Sequence, residues 1–124
     1  MHIIFGAEQA NELSEKFIVL ELDTFRIATT GQLATAYCII EKIEFDKMPM
    51  VEGWKIIHQN LLDNYRSKNW DECLEAMDSL RGCWGNDLDT FYDELTRRID
   101  RFKEQDPGAD WDPVILRHDI ESSN

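Results

Sequence analysis

One amphipathic stripe constrains this chain more than any other feature. Leu88, Phe91, Tyr92, Leu95, Ile99 and Phe102 recur at three- and four-residue spacing, the period of an α-helix with one buried face. The charges of that segment follow the helix dipole. Asp87, Asp89, Asp93 and Glu94 crowd its start, and Arg97, Arg98, Arg101 and Lys103 crowd its end, so carboxylates meet the positive terminus and cations the negative one. Asn86 is the predicted N-cap. Such a helix has to bury its stripe, so the rest of the chain must supply a core.

Two more stripes precede it. Pro49 opens a helix, since proline suits a first turn, and Val51, Trp54, Ile57, Leu61 and Tyr65 then share one face. Asn69 with Glu72 three residues on makes a variant capping box. It starts a helix that buries Trp70, Cys73, Leu74, Met77 and Leu80 and stops at Gly82.

Residues 1–45 carry a different period. His2 to Phe5 reads as a short strand ended by Gly6. Ala7, Ala10 and Leu13 suggest a short helix through Lys16. Phe17 to Leu20 is apolar at every position, as in a strand covered on both faces. Leu20 and Leu22 then alternate with Glu21 and Asp23, and Thr29 to Gln32 with Gly31 signals a hairpin. The return strand runs from Ala36 through Ile40, its alternation continuing as Ile39, Glu41, Ile43 and Phe45.

The sequence therefore predicts an α+β fold: a small three-stranded, mostly antiparallel sheet with a short helix, followed by a three-helix layer packed on it. Residues 1–116 form one domain, with a sheet region at 1–45, a helical region at 46–105 and an extended fold-back segment at 106–116. Pro107, Gly108 and Pro113 forbid a further helix there, yet Trp111 and Val114 to Leu116 are too apolar for a free tail. Residues 117–124 are predicted to be disordered.

Composition bounds the function. The chain has 124 residues, with 25 acidic and 13 basic side chains and a formal charge of −12. That balance disfavours direct nucleic-acid binding, which needs clustered Lys and Arg. No apolar run approaches a membrane span, and the start carries neither a signal nor a transit pattern. Cys38, Cys73 and Cys83 are odd in number and widely spaced. They read as buried thiols in a reducing compartment, which places the chain in the cytoplasm.

Two resemblances appear. The residues Tyr65-Arg66-Ser67-Lys68-Asn69-Trp70-Asp71, then Leu74, Leu80, Tyr92, Arg98-Ile99, Pro107 and Asp110-Trp111-Asp112-Pro113-Val114 resemble the helical C-terminal tail of class III adenylyl cyclases. Cyclase chemistry resides in another domain, so the resemblance implies a helical hairpin and no activity. The line Gly82-Cys83-Trp84-Gly85-Asn86-Asp87-Leu88-Asp89-Thr90-Phe91-Tyr92, together with Glu21 to Phe25, resembles small acidic proteins of bacteria and their phages, with no biochemical role attached.

No catalytic, metal or cofactor residues are predicted. The carboxylates Asp87, Asp89, Asp93 and Glu94 fan over several helix faces and belong at a helix start on electrostatic grounds. His58 lies at the edge of a stripe without an evident orienting carboxylate, so it reads as a structural or surface histidine. The glycines form neither GxGxxG nor a Walker loop. Acidic surface is the one positive signal. Between Asn69 and Leu95 stand Asp71, Glu72, Glu75, Asp78, Asp87, Asp89, Asp93 and Glu94 against Arg81 alone.

The reading that follows is a non-enzymatic interaction or regulatory module. It would bind a basic protein through Asp71, Glu75, Asp78 and Asp93. The alternatives are an acidic DNA mimic and a small ligand-binding domain or enzyme. Four Trp are many for one small core, which also points to a homodimer.

Overall fold

The structure is a computed structural model, and it describes residues 2–117, with side chains described through Val114. The chain is α+β and falls into two compact units, one made by His2–Ile39 with the segment from Asp112 onward, the other by Ile40–Trp111. The change of unit falls between Ile39 and Ile40, six residues before the end of the predicted sheet region. The fold-back segment divides between the two units.

In the first unit, β1 (His2–Phe5), α1 (Ala7–Leu13), β2 (Ile18–Ile27), β3 (Leu33–Ile40) and β4 (Ile115–Arg117) follow in order. The spatial order is β1-β3-β2-β4. β1 runs antiparallel to β3, with His2 opposite Ile39 and Phe5 opposite Ala36. The loop from β2 to β3 is too short for a crossover, so these strands are antiparallel as well. Ile27 N–H donates to Gln32 O at 2.9 Å and Gly31 N–H to Ile27 O at 2.8 Å, with Gly31 at φ 72°. That positive φ is what the turn demands of its glycine. The three antiparallel strands expected from the sequence are present, and β4 joins them parallel to β2, Phe25 opposite Ile115. Arg117, expected in the tail, ends β4. The rest of the tail expectation, residues 118–124, lies outside the described residues.

One small cluster lies under α1. Ile4, Ala10 and Ile39 are buried there, and Leu13, Val19 and Tyr37 pack against them. Burial on both faces occurs at Cys38, Ile39 and Ile40 rather than at Phe17 to Leu20, where Phe17 is exposed. The alternation from Glu41 to Phe45 does not continue β3. Among the described residues the β1 register starts with His2 opposite Ile39, and alternation without a paired strand beside it makes no strand. Phe45 instead opens a 3-10 turn, Phe45–Met50, which contains Pro49.

The second unit holds α2 (Val51–Arg66), α3 (Trp70–Leu80) and α4 (Asp89–Glu104). Pro49 precedes α2 by two residues instead of opening it. The buried stripe of α2 is Val51, His58, Leu61, Leu62 and Tyr65. Its C-terminus closes with Lys68 N–H on Tyr65 O at 3.2 Å and Asn69 N–H on Asn64 O at 2.9 Å, the double closure of a Schellman motif. Lys68 therefore takes φ 62°, a left-handed conformation unusual for a residue with a Cβ.

Asn69 stands at the N-cap of α3 but makes no capping bond. Its side-chain amide donates to Asn64 Oδ1 at 3.1 Å instead, so the capping box is not formed. Gly82, at φ 78°, follows the end of α3 as expected. Asn86 does not cap α4. Leu88 holds that position without a side-chain bond, while Asp89 accepts the backbone N–H of Gly82 at 3.2 Å. The core of this unit contains Cys73, Met77, Leu80, Trp84, Leu88, Phe91, Tyr92, Leu95 and Ile99. Trp70 and Leu74 are half-buried. Among the described residues no helix is long and apolar enough to cross a membrane.

Candidate functional site

The helical spacing of α3 turns Cys73, Met77 and Leu80 inward and leaves Asp71, Glu72, Glu75 and Asp78 exposed. These acids differ in what they meet. Lys103 Nζ donates to Asp71 Oδ1 at 2.6 Å, and the aspartate holds the lysine above its ordinary pKa, through the hydrogen bond first and its charge second. Arg81 pairs with Asp93 and also donates to Thr96 Oγ1 at 3.2 Å. Glu72, Glu75 and Asp78 have no ion pair among the described residues. Of the four residues expected to form a binding face, the structure leaves Glu75 and Asp78 available and engages Asp71 and Asp93 internally. Glu72, which the sequence places in the acidic stretch and in a cap but not in the predicted binding set, joins the available pair. Its spacing of three from Glu75 was the signal.

At the head of α4 the carboxylates have separate tasks. Glu94 accepts from Arg97 at 2.9 Å and from Arg98 at 3.4 Å. The Arg97 hydrogen bond is the largest influence holding its carboxyl below the ordinary value. Asp89 binds the Gly82 backbone and Asp93 binds Arg81. Among the described residues no group of three or more His, Cys, Asp or Glu is placed to hold a metal ion.

His58 belongs to the core. It is 1% exposed, and its Nδ1 lies 2.9 Å from Tyr92 Oη. Trp84 donates its indole N–H to the same oxygen at 3.1 Å, so the tyrosine hydroxyl bridges two rings. Trp84 also meets Trp54 edge-to-face, with centroids 5.6 Å apart. This is how a buried polar cluster is satisfied. A general base, by contrast, has to reach a substrate.

Cys83 departs from the buried-thiol expectation, which Cys38 and Cys73 meet. It is half-buried, and with Gly85, Lys42, Ile43, Glu44 and Lys47 it lines an open cleft of about 290 Å³. Its thiol donates to Ser79 O at 3.2 Å. Burial pushes its pKa up, Lys47 opposes that and Asp89 adds to it. A thiol raised in this way is a poor nucleophile.

Comparison with known protein families, with curated proteins and with solved structures found no match to this chain.

Proposed function

We propose that this chain is a non-enzymatic interaction module that works in the cytoplasm and binds a basic protein through the outer face of α3. The observation that carries the proposal is the set Glu72, Glu75 and Asp78, exposed and without an ion pair among the described residues, on the helix whose opposite face is buried. Neighbouring like charges on a helix cost about 0.2–0.5 kcal/mol per pair, and an unneutralised acidic face attracts a cationic surface and speeds its encounter. Three cysteines without disulfides suit a reducing compartment.

The test reverses Glu72, Glu75 and Asp78 to Lys. Each reversal adds two units, so the formal charge moves from −12 to −6. Asp71 is left in place because its reversal would set two lysines against each other at Lys103. The control reverses Glu8, Glu12 and Glu15, all exposed, for the same net charge. The proposal expects the first triple to slow association of a basic partner recovered from lysate, and the control to leave it near wild type. Equal losses in both would mean that overall charge carries the binding, as in a DNA mimic, and would end the proposal.

A further inference from the structure

Among the described residues β1 stands at one edge of the sheet, beside β3. One contact fixes which of its backbone groups β3 uses. Gly6 N–H donates to Thr35 O at 3.2 Å, and Gly6 and Thr35 continue the register that sets Phe5 opposite Ala36. Antiparallel pairs alternate between those that exchange hydrogen bonds and those that do not. Ile4 with Tyr37 and His2 with Ile39 therefore exchange them, whereas Ile3 and Phe5 aim their backbone N–H and C=O away from β3. The same two residues expose their side chains, each at 45%. They share one face of the strand, opposite to Ile4, which is buried with Ala10 and Ile39. Phe5 meets Phe25 edge-on there, with centroids 6.2 Å apart. Ile3 and Phe5 thus make one apolar edge whose donors and acceptors β3 leaves unused.

Natural sheet edges are commonly blocked by lysine, proline, a bulge or an inward charge. β1 has no lysine or proline, its register against β3 is unbroken, and no Asp, Glu, Lys or Arg occurs from Met1 to Ala7. Phe45 at 92% and Ile56 at 61% are more exposed, but Asp46 and Lys55 adjoin them in sequence. A cationic partner finds no carboxylate on β1 to meet. In a chain of charge −12, an uncharged edge is where a second copy approaches with least repulsion. The edge is also its own complement. A two-fold axis through Ile4 sets Ile3 of each copy opposite Phe5 of the other, and these pairs exchange four N–H···O bonds. They are β-branched–aromatic pairs, which favour antiparallel strands, and Gly6, without a side chain, falls opposite His2. We infer that two copies of this chain dimerise by antiparallel addition of β1 to β1, centred on Ile4, joining their sheets into one. The tryptophans, whose number points to a dimer, pair with one another within the chain instead, Trp54 with Trp84 and Trp70 with Trp111. Four residues a side bury little, so the dimer belongs with transient interfaces of less than about 1,200 Å² in total. It is independent of the α3 face.

The test is sedimentation of the full chain from about 1 µM to about 1 mM, the span over which small interfaces dissociate. Wild type is expected to pass from monomer to dimer. At the dimeric end the amides of Ile3 and Phe5 are expected to exchange with deuterium at least tenfold more slowly than at the dilute end, with Ile4, bonded to β3, unchanged. Ile3→Lys and Ile3→Pro are both expected to stay monomeric with wild-type circular dichroism, since the N–H that proline removes makes no bond to β3. A wild-type chain that is monomeric throughout overturns the inference. So does a dimer that survives both substitutions, or one that Ile3→Lys abolishes and Ile3→Pro leaves intact, which is apolar contact without strand pairing. Fast exchange of the Ile3 and Phe5 amides in the dimer, or their protection at every concentration, overturns it too. Should Ile3→Pro fail to fold, the exchange pattern and Ile3→Lys decide. Salt raised to about 1 M is expected to tighten the dimer by screening its like charge; a dimer that such salt dissolves is held by ions and refutes the pairing.

Discussion

The indole of Trp111 stands 5.3 Å from the ring of Tyr65 at an interplanar angle of 78°. It also meets Trp70 at 5.5 Å and Phe102 at 5.2 Å, both edge-on, while Trp70 and Phe102 stack at 5.3 Å. Four rings from α2, α3, α4 and the segment beyond Pro107 thus form one cluster. Two aspartates shape the backbone that delivers the indole. Asp106 accepts Gly108 N–H at 2.8 Å, and Asp112 accepts Val114 N–H at 3.0 Å, each a turn closed by a side chain before proline. Lys68 Nζ ties the same segment through Gly108 O at 3.0 Å.

Trp111→Ala should therefore lower stability by about 1–3 kcal/mol, below the roughly 3–5 of a fully buried tryptophan, since the indole is only half-covered. Urea unfolding monitored by far-UV circular dichroism measures it. Unfolding identical to wild type would mean that the cluster does not hold the segment.

Tyr92→Phe removes one oxygen and leaves the Trp84 N–H and His58 Nδ1 without their shared partner, in a site that is 0% exposed at Tyr92. The expected cost is about 1–3 kcal/mol, the penalty for stranding buried polar groups. Replacing His58 by Leu in the same background should add less than it does alone, because the two side chains share one network.

The thiols should separate by rate. Burial, with Glu72 adding to it, pushes the Cys73 thiol up to about 12, so at pH 8 almost none of it is thiolate. Cys83 is half-buried and only raised. A disulfide reagent at pH 8 should label Cys83 first, at a rate still climbing with pH beyond 9.0, the ordinary thiol value. It should reach Cys73 only on unfolding. Labelling of Cys73 in the folded chain at the rate of Cys83 would contradict this.

Glu94 gives a small acid-sensitive contribution. Its folded pKa lies below the ordinary 4.5, so the unfolded chain binds its proton first as pH falls. The stabilisation is complete above 4.5 and disappears as pH drops through the lower, folded value. The carboxylate is 41% exposed, and solvent screening limits the effect to under about 1 kcal/mol. Glu94→Gln should thus cost a few tenths of a kcal/mol at pH 7, and the difference should close in acid and in 1 M salt, where the Debye length is about 3 Å.

What the chain determines by itself is local. The period of Leu88 to Ile99, the dipole-matched charges of α4, and the turn glycines at 31 and 82 can be read along the sequence, because each depends on neighbours within about one turn. Wherever two distant residues meet, tertiary structure decided. Asp71 looks free until Lys103, thirty-two positions later, reaches it. His58 looks like the edge of a stripe until Tyr92 closes over it from α4. The alternation from Glu41 to Phe45 equals that of a strand, yet among the described residues β1 pairs only as far as Ile39, and the same residues become an irregular segment and a 3-10 turn. Exposure of Phe45 and Ile56 was equally unreadable, because apolar side chains have the same period whether the fold or a partner covers them. Periodicity fixes which residues share a face; only the packing of remote elements fixes which faces are filled.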